Sequence, residues 1–150
     1  KLLVSACLLG VPCRYDGKSK KNEAVCALAE RFELIPVCPE VLGGLPTPRT
    51  PSERRGACVV RKDGRDVTAE YRRGAECALE TARREGVLAA VLKERSPSCG
   101  SGEIYDGTFT GALTAGDGVT AELLKSNGIT VYGEGEQSLT EFLCSVSHST

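Results

Sequence analysis

The sequence predicts an α/β fold of the Rossmann-like kind, a mostly parallel sheet with helices on both faces and small β-hairpin excursions. Three observations carry this reading. Four short apolar runs recur along the chain, segments of helical period lie between them, and no repeat, linker or low-complexity run divides the 150 residues. Parallel neighbours in a sheet need a crossover, which is usually a helix, so strands alternating with helices imply a parallel sheet. At this length one domain is expected, residues 1–150, able to bury roughly 70% of its extended-chain surface without disulfide staples.

The elements follow in order. Residues 2–6 (LLVSA) and 33–37 (ELIPV) read as buried strands. Between them Asn22 caps a helix running to about Arg31, with Val25, Cys26, Leu28 and Ala29 turned inward. The Pro-rich LPTPRTP at 45–51 reads as a fixed loop, and CVVRKDGRDV as a small hairpin turning at Asp63-Gly64. Asp66 or Thr68 caps a longer helix in which Val67, Tyr71, Ala75, Ala78, Leu79 and Ala82 recur at helical spacing up to the stop at Gly86. Residues 87–93 form a third strand, IYDGTFTGAL a second irregular β excursion, 119–126 a helix ending at Asn127-Gly128, and 129–132 a fourth strand. The closing EQSLTEFLCSVSHST matches nothing functional.

Composition narrows the function. Lys+Arg number 19 against 20 Asp+Glu, so no global field favours nucleic acid or an anionic membrane. The opening KLLVSACLLG is too short an apolar run for a signal peptide, and no stretch approaches ~18 apolar residues, so a cytoplasmic protein is expected. In that reducing compartment the eight cysteines are ligands, nucleophiles or core thiols rather than disulfides. Cys7, Cys13, Cys38 and Cys99 sit among Gly, Pro and Ser where apolar runs give way to loops. Cys26, Cys58, Cys77 and Cys144 sit inside apolar-periodic segments and read as core thiols.

Ligands of a parallel α/β sheet bind beyond the carboxyl ends of its strands, and Cys7, Cys38 and Cys99 each follow a predicted strand. Their convergence rests on the fold, since their spacing matches no local motif such as C-x-x-C and by itself leaves three separate loop thiols. Cys13, through the Gly10–Pro12 turn, reaches the same place as an alternative fourth ligand. Thiolates select Zn, Cu(I) or iron–sulfur clusters. The paired short spacings of structural zinc are missing, whereas a cluster accepts ligands from dispersed loops. Three thiolates on a four-iron cluster would leave one iron open as a Lewis acid. Beside these thiols stand Glu40, Ser96 and Ser98 as candidates for proton transfer, and Asp16, Arg49 and Lys93 as candidates to bind substrate. The single histidine, His148, lies two residues from the end, so Ser-His and Cys-His triads lack a base. There is no Walker loop, and three Phe with four Tyr make a poor stacking platform for single-stranded nucleic acid.

SACLLGVPCRYDG at 5–17, VCPEVLGGLPTPR at 37–49, LKERSPSCGSG at 92–102 and YDGTFTGALTAGDGVTAELL at 105–124 together resemble a bacterial family that includes thiouracil desulfidases. The resemblance spans nearly the whole chain in order. It implies a cytoplasmic α/β enzyme with a [4Fe-4S] cluster held by three cysteines, whose fourth iron takes sulfur from a thiolated pyrimidine without redox change. Cys7, Cys38 and Cys99 are assigned as ligands because they follow strands, with Cys13 the alternative. Glu40 falls in the CPE block and Ser96 and Ser98 in the SPSCG block, so the resemblance extends proton-transfer and positioning roles to them. The expected reaction converts thiouracil to uracil and releases hydrosulfide. Three other readings stand beside it: a desulfidase acting on thiolated tRNA, a cluster-storage or redox-sensing module, and a structural zinc protein.

Overall fold

A computed structural model describes residues 1–148. Its centre is a four-stranded, all-parallel sheet made of β1 (Leu2–Ser5), β2 (Leu34–Val37), β5 (Ala89–Leu92) and β8 (Thr130–Gly133), in the order β2-β1-β5-β8. Ser5 pairs with Val37 and Val4 with Val91, so the strands finish close together at one edge. The helices are α1 (Glu23–Ala27), α2 (Pro39–Leu42), α3 (Thr68–Glu85), α4 (Val119–Ser126) and α5 (Glu136–His148).

Strand alternation divides the core between the two faces of the sheet. Leu3, Ala90 and Leu92 pack with Leu79 and Ala82 of α3 and with Ala121 and Leu124 of α4. Leu2, Val4 and Val91 pack on the other side with Val25 of α1, Leu28, and Leu139 and Phe142 of α5. Helices therefore cover both faces, as expected. The chain steps from β1 outward to β2, then back across to β5 on the other side of β1. Because such crossovers are right-handed, reversing direction switches the helix to the opposite face, and the reversal leaves a crevice between the ends of β1 and β5.

Local signals held where side chains satisfy backbone groups. Asn22 accepts from Val25 N at 3.0 Å. At α3 the cap position falls instead on Val67, with no side-chain cap bond; Asp66 accepts from Thr68 N at 2.8 Å in the turn leading into the helix, and Thr68 Oγ1 turns to Val59 N. All six residues expected to line α3 inward are buried, and Gly86 ends it in the left-handed conformation at φ 71°.

Several expectations needed correction. The helix after Asn22 gives way at Leu28–Glu30 to a 3-10 turn, which carries Ala29 out to solvent. The turn at Asp63-Gly64 forms, but it closes only one bridge, Val60 to Asp66. The ribbon proper joins β3 (Ser52–Arg55) to β4 (Cys58–Arg61) around Gly56, in left-handed conformation at φ 59°. The second excursion is a hairpin of β6 (Glu103–Tyr105) and β7 (Leu113–Ala115). The unmatched tail is α5, anchored by Phe142, whose ring tilts against Phe32 and Tyr132 with centroids 5.2 Å away in each case. No helix among the described residues is long and apolar enough to cross a membrane.

The cysteines depart furthest from expectation. Cys7, Cys13 and Cys99, read as loop thiols, are buried at 8%, 8% and 5% exposure, whereas Cys58 and Cys144, read as core thiols, are exposed. Cys58 borders the tight β3–β4 turn, and Cys144 lies off the Leu139–Phe142 face of α5. Cys77 lies beside the buried stripe of α3, and the Cys26 thiol donates to Leu8 O at 3.6 Å; both are half-buried. All eight are free.

Candidate functional site

Three strand ends build one site. After β1 a 3-10 turn at Ala6–Leu9 stops at Gly10, whose φ of 99° suits glycine alone among common residues, and the chain folds back so that Lys20 N donates to Cys7 O at 3.0 Å. This return sets Cys13 beside Cys7. After β2, Cys38 stands directly before α2, its Sγ 3.7 Å from Cys13 O. After β5, Lys93 N donates to Ser5 Oγ at 2.9 Å, which ties the ends of β1 and β5 together. The Ser96 hydroxyl then accepts from Ser98 N and Cys99 N, both at 3.1 Å, and the resulting turn buries Cys99.

The four thiols line one cleft of about 620 Å³ together with Glu40, Arg49, Lys93 and Ser96. The Cys13 thiol lies within hydrogen-bonding reach of both Cys7 and Cys38. Its hydrogen bond with Cys38 acts to lower its pKa, but Cys7 and burial outweigh this and hold it above the ordinary thiol value. The hydrogen bond with Cys13, followed by burial, raises Cys38 well above that value. Burial pushes Cys99 up to about 12. A metal that takes these thiols as ligands must therefore displace their protons.

The donor set fits a cluster. Four thiols face one cleft from three separate strand ends, and thiolates select soft metals. Among the described residues no three or more Cys, His, Asp or Glu gather tightly enough to share one ion. An iron–sulfur cluster spreads its irons and asks for this wider cradle.

Glu40 is clamped in the cleft from two sides. Arg49 Nη2 donates to its Oε2 at 2.6 Å, and the Tyr71 hydroxyl donates to its Oε1. Burial, then the Glu40 charge, raise the Tyr71 phenol well above its usual value, which keeps it a donor. Two glycines set this geometry. A Cβ on Gly74 of α3 would stand 1.9 Å from Pro39 O, and one on Gly43 would stand 2.0 Å from Glu70 O. The backbones of α2 and α3 thus touch, and Glu40 on α2 meets Tyr71 on α3.

The other candidates divide. Lys93 reaches the cleft, but its Nζ is bound to Glu134 Oε1 at 2.8 Å and Glu94 O at 3.1 Å. Arg49 also lines the cleft, with both terminal nitrogens engaged, Nη1 by Pro46 O and Thr47 Oγ1 and Nη2 by Glu40 and Cys13 O, while its buried Nε has no partner. Its place is to hold Glu40 and the Cys13 loop. Ser98 does not reach the cleft; it is fully buried, with Oγ 2.9 Å from Thr120 Oγ1. Asp16 is likewise outside, its Oδ1 accepting from Lys18 N at 3.0 Å within its own turn. Helical spacing marks Tyr71 only as an inward residue of α3, and its contact with Glu40 escapes that pattern. The available signal was chemical, because a buried phenol must find a partner.

Comparison with known proteins fixes the family. A family model described as 2-thiouracil desulfurase matches residues 2–136. The chain belongs to the 2-thiouracil desulfurase family. It is similar to the Uncharacterized protein YbbK of Bacillus subtilis (strain 168), with 44% identity over 145 residues, covering 90% of this chain and 96% of the relative. Among solved structures, the [4Fe-4S]-dependent thiouracil desulfidase TudS superposes with a TM-score of 0.91 at 51% identity, covering 98% of this chain and 97% of its own. The family resemblance and the mostly parallel α/β architecture expected from the sequence are therefore borne out.

Proposed function

We propose that this protein converts a thiolated pyrimidine such as thiouracil to its oxo form, with release of sulfide, in the cytoplasm. One observation carries the reading: four thiols and a clamped carboxylate face a single crevice at the switch point of a chain whose structural neighbour is a [4Fe-4S]-dependent thiouracil desulfidase. Eight free thiols suit a reducing compartment. Cys7, Cys38 and Cys99 hold the cluster, with Cys13, buried between Cys7 and Cys38, as the alternative ligand. When bound, such a cluster would supply an open iron as a Lewis acid toward the thiocarbonyl.

The chain's own residues supply the rest. Each Glu40 oxygen has one partner, from Arg49 and Tyr71, and keeps a lone pair to take a proton from water. Water adds its oxygen at the ring carbon as one proton moves to Glu40; the carbon–sulfur bond breaks as that proton passes to sulfur, and the hydroxyl left on carbon gives its proton to the departing hydrosulfide as the carbonyl forms. Thiocarbonyl and water become carbonyl and hydrogen sulfide, with no electron consumed. Ser96 is held in the same cleft by two backbone donors and orients the substrate.

The test is anaerobic reconstitution with iron and sulfide, addition of 4-thiouracil, and measurement of uracil and sulfide. Equal amounts of the two products are expected. A cluster that forms without yielding either product would contradict the reading. A parallel arm with thiolated tRNA distinguishes a polymeric substrate, which the near-balanced charge of the chain does not favour.

A further inference from the structure

Only two non-glycine residues among those described have φ in the left-handed region, Arg95 at 65° and Phe109 at 59°, and both line the cleft. A bulky aromatic residue there is a conformational outlier, and such strain persists only where surrounding contacts over-determine it. For Phe109 those contacts come from β3. Glu53 Oε1 accepts from Gly107 N at 2.9 Å and Phe109 N at 3.1 Å, and Arg55 Nε donates to Gly107 O at 2.7 Å. The Arg55 guanidinium lies 6.0 Å from the centroid of the Phe109 ring. Gly107 and Gly111, on either side, already give this loop two residues at ease with positive φ. The chain nevertheless keeps a phenyl ring at 109, half-buried in the cleft wall.

The strand that holds this ring also meets the reactive end of the cleft. Ser52, next to Glu53 in β3, hydrogen-bonds the Tyr71 side chain, which in turn holds Glu40. The aromatic wall and the carboxylate clamp therefore hang from consecutive residues.

We infer that Phe109 is a specificity-determining residue that stacks on the planar ring of the substrate, with Glu53 and Arg55 as the residues that position it. The inference rests on the thiopyrimidine reading above and says how the ring, rather than the sulfur, is recognised. A flat heterocycle offers a π-face to the phenyl ring, whereas a puckered saturated ring does not.

The test is calorimetric titration of the reconstituted protein with uracil and with dihydrouracil. Phe109→Leu should weaken uracil binding by about 10-fold and abolish most of the preference for uracil over dihydrouracil, while Phe109→Tyr stays within about 2-fold of the parent. Glu53→Ala should follow Phe109→Leu, and Glu53→Gln, which keeps an acceptor oxygen, should restore binding. Absorbance near 400 nm should be the same in all four variants. Uracil binding in Phe109→Leu equal to the parent, or no uracil binding by the parent, overturns the inference. Phe109-dependent binding without sulfide release from thiouracil sustains the stacking role and overturns the desulfuration reading instead.

Discussion

Five of the eight cysteines in this chain exchange the places that their sequence surroundings suggest. Cys7, Cys13 and Cys99 lie amid Gly, Pro and Ser and are buried, while Cys58 and Cys144 lie in apolar-periodic segments and are exposed. The difference teaches that burial at a strand end arises from several loops folding over one crevice, a tertiary effect that local periodicity does not record. An apolar-periodic segment, in contrast, buries only one stripe, and cysteine is small enough to fall beside it.

The largest expected effect divides the sets outright. Cys7→Ser, Cys38→Ser and Cys99→Ser should each lose most of the absorbance near 400 nm after anaerobic reconstitution, while Cys58→Ser and Cys144→Ser keep it. Loss in the exposed pair would break the comparison. Cys13→Ser sharpens it: full absorbance confirms the three-ligand set, and loss makes Cys13 a ligand.

Next come the groups that act beside the thiols without binding metal. Glu40→Gln should lower kcat by about 100-fold or more with the 400 nm band unchanged, since a positioned general base contributes about 10²–10⁴. Tyr71→Phe removes one of the two donors to Glu40 and should lower kcat by roughly 10-fold, as expected for about 1.4 kcal/mol. Unchanged turnover in steady-state assays of either variant would remove it from the mechanism.

A smaller effect falls on the support of Cys38 and Glu40. Gly74→Ala forces a methyl against Pro39 O and should cost about 1–3 kcal/mol in urea unfolding, the usual range for overpacking. A neutral substitution would show that the α2–α3 contact is not needed.

The smallest effect is a change in slope with pH. Burial raises the Cys99 thiol from an ordinary 9.0 to about 12. The folded chain therefore keeps a proton that the unfolded chain loses, and this contribution is complete below about pH 9 and lost as pH rises through about 12. Before reconstitution with iron, stability to urea should fall less steeply between those values in Cys99→Ala than in the parent. Equal slopes would contradict the burial of this thiol.

Much of the fold could be read in advance. The four parallel strands, the Asn22 cap, the inward face of α3 and the stop at Gly86 all follow from periodicity and capping chemistry. The β3–β4 pairing escaped because SERRGACVVR alternates weakly and its turn lies at Gly56 rather than at the stronger Asp63-Gly64 signal. That Cys7, Cys38, Cys99, Glu40 and Ser96 share one cleft was legible from position after strands and from motif. The inward turn of Ser98 was not, since it depends on Thr120 from a distant helix. The spending of Arg49 on Glu40 and the Cys13 carbonyl was also hidden, because it requires three loops to meet.

The central claim is that the four thiols lining the cleft, and not the other four, carry the chemistry. Its most direct test is the variant with Cys26, Cys58, Cys77 and Cys144 all replaced by Ser, reconstituted anaerobically and given 4-thiouracil. Retention of the 400 nm band with uracil and sulfide formed in equal amounts is the predicted result. A folded variant without the band or without sulfide would contradict it.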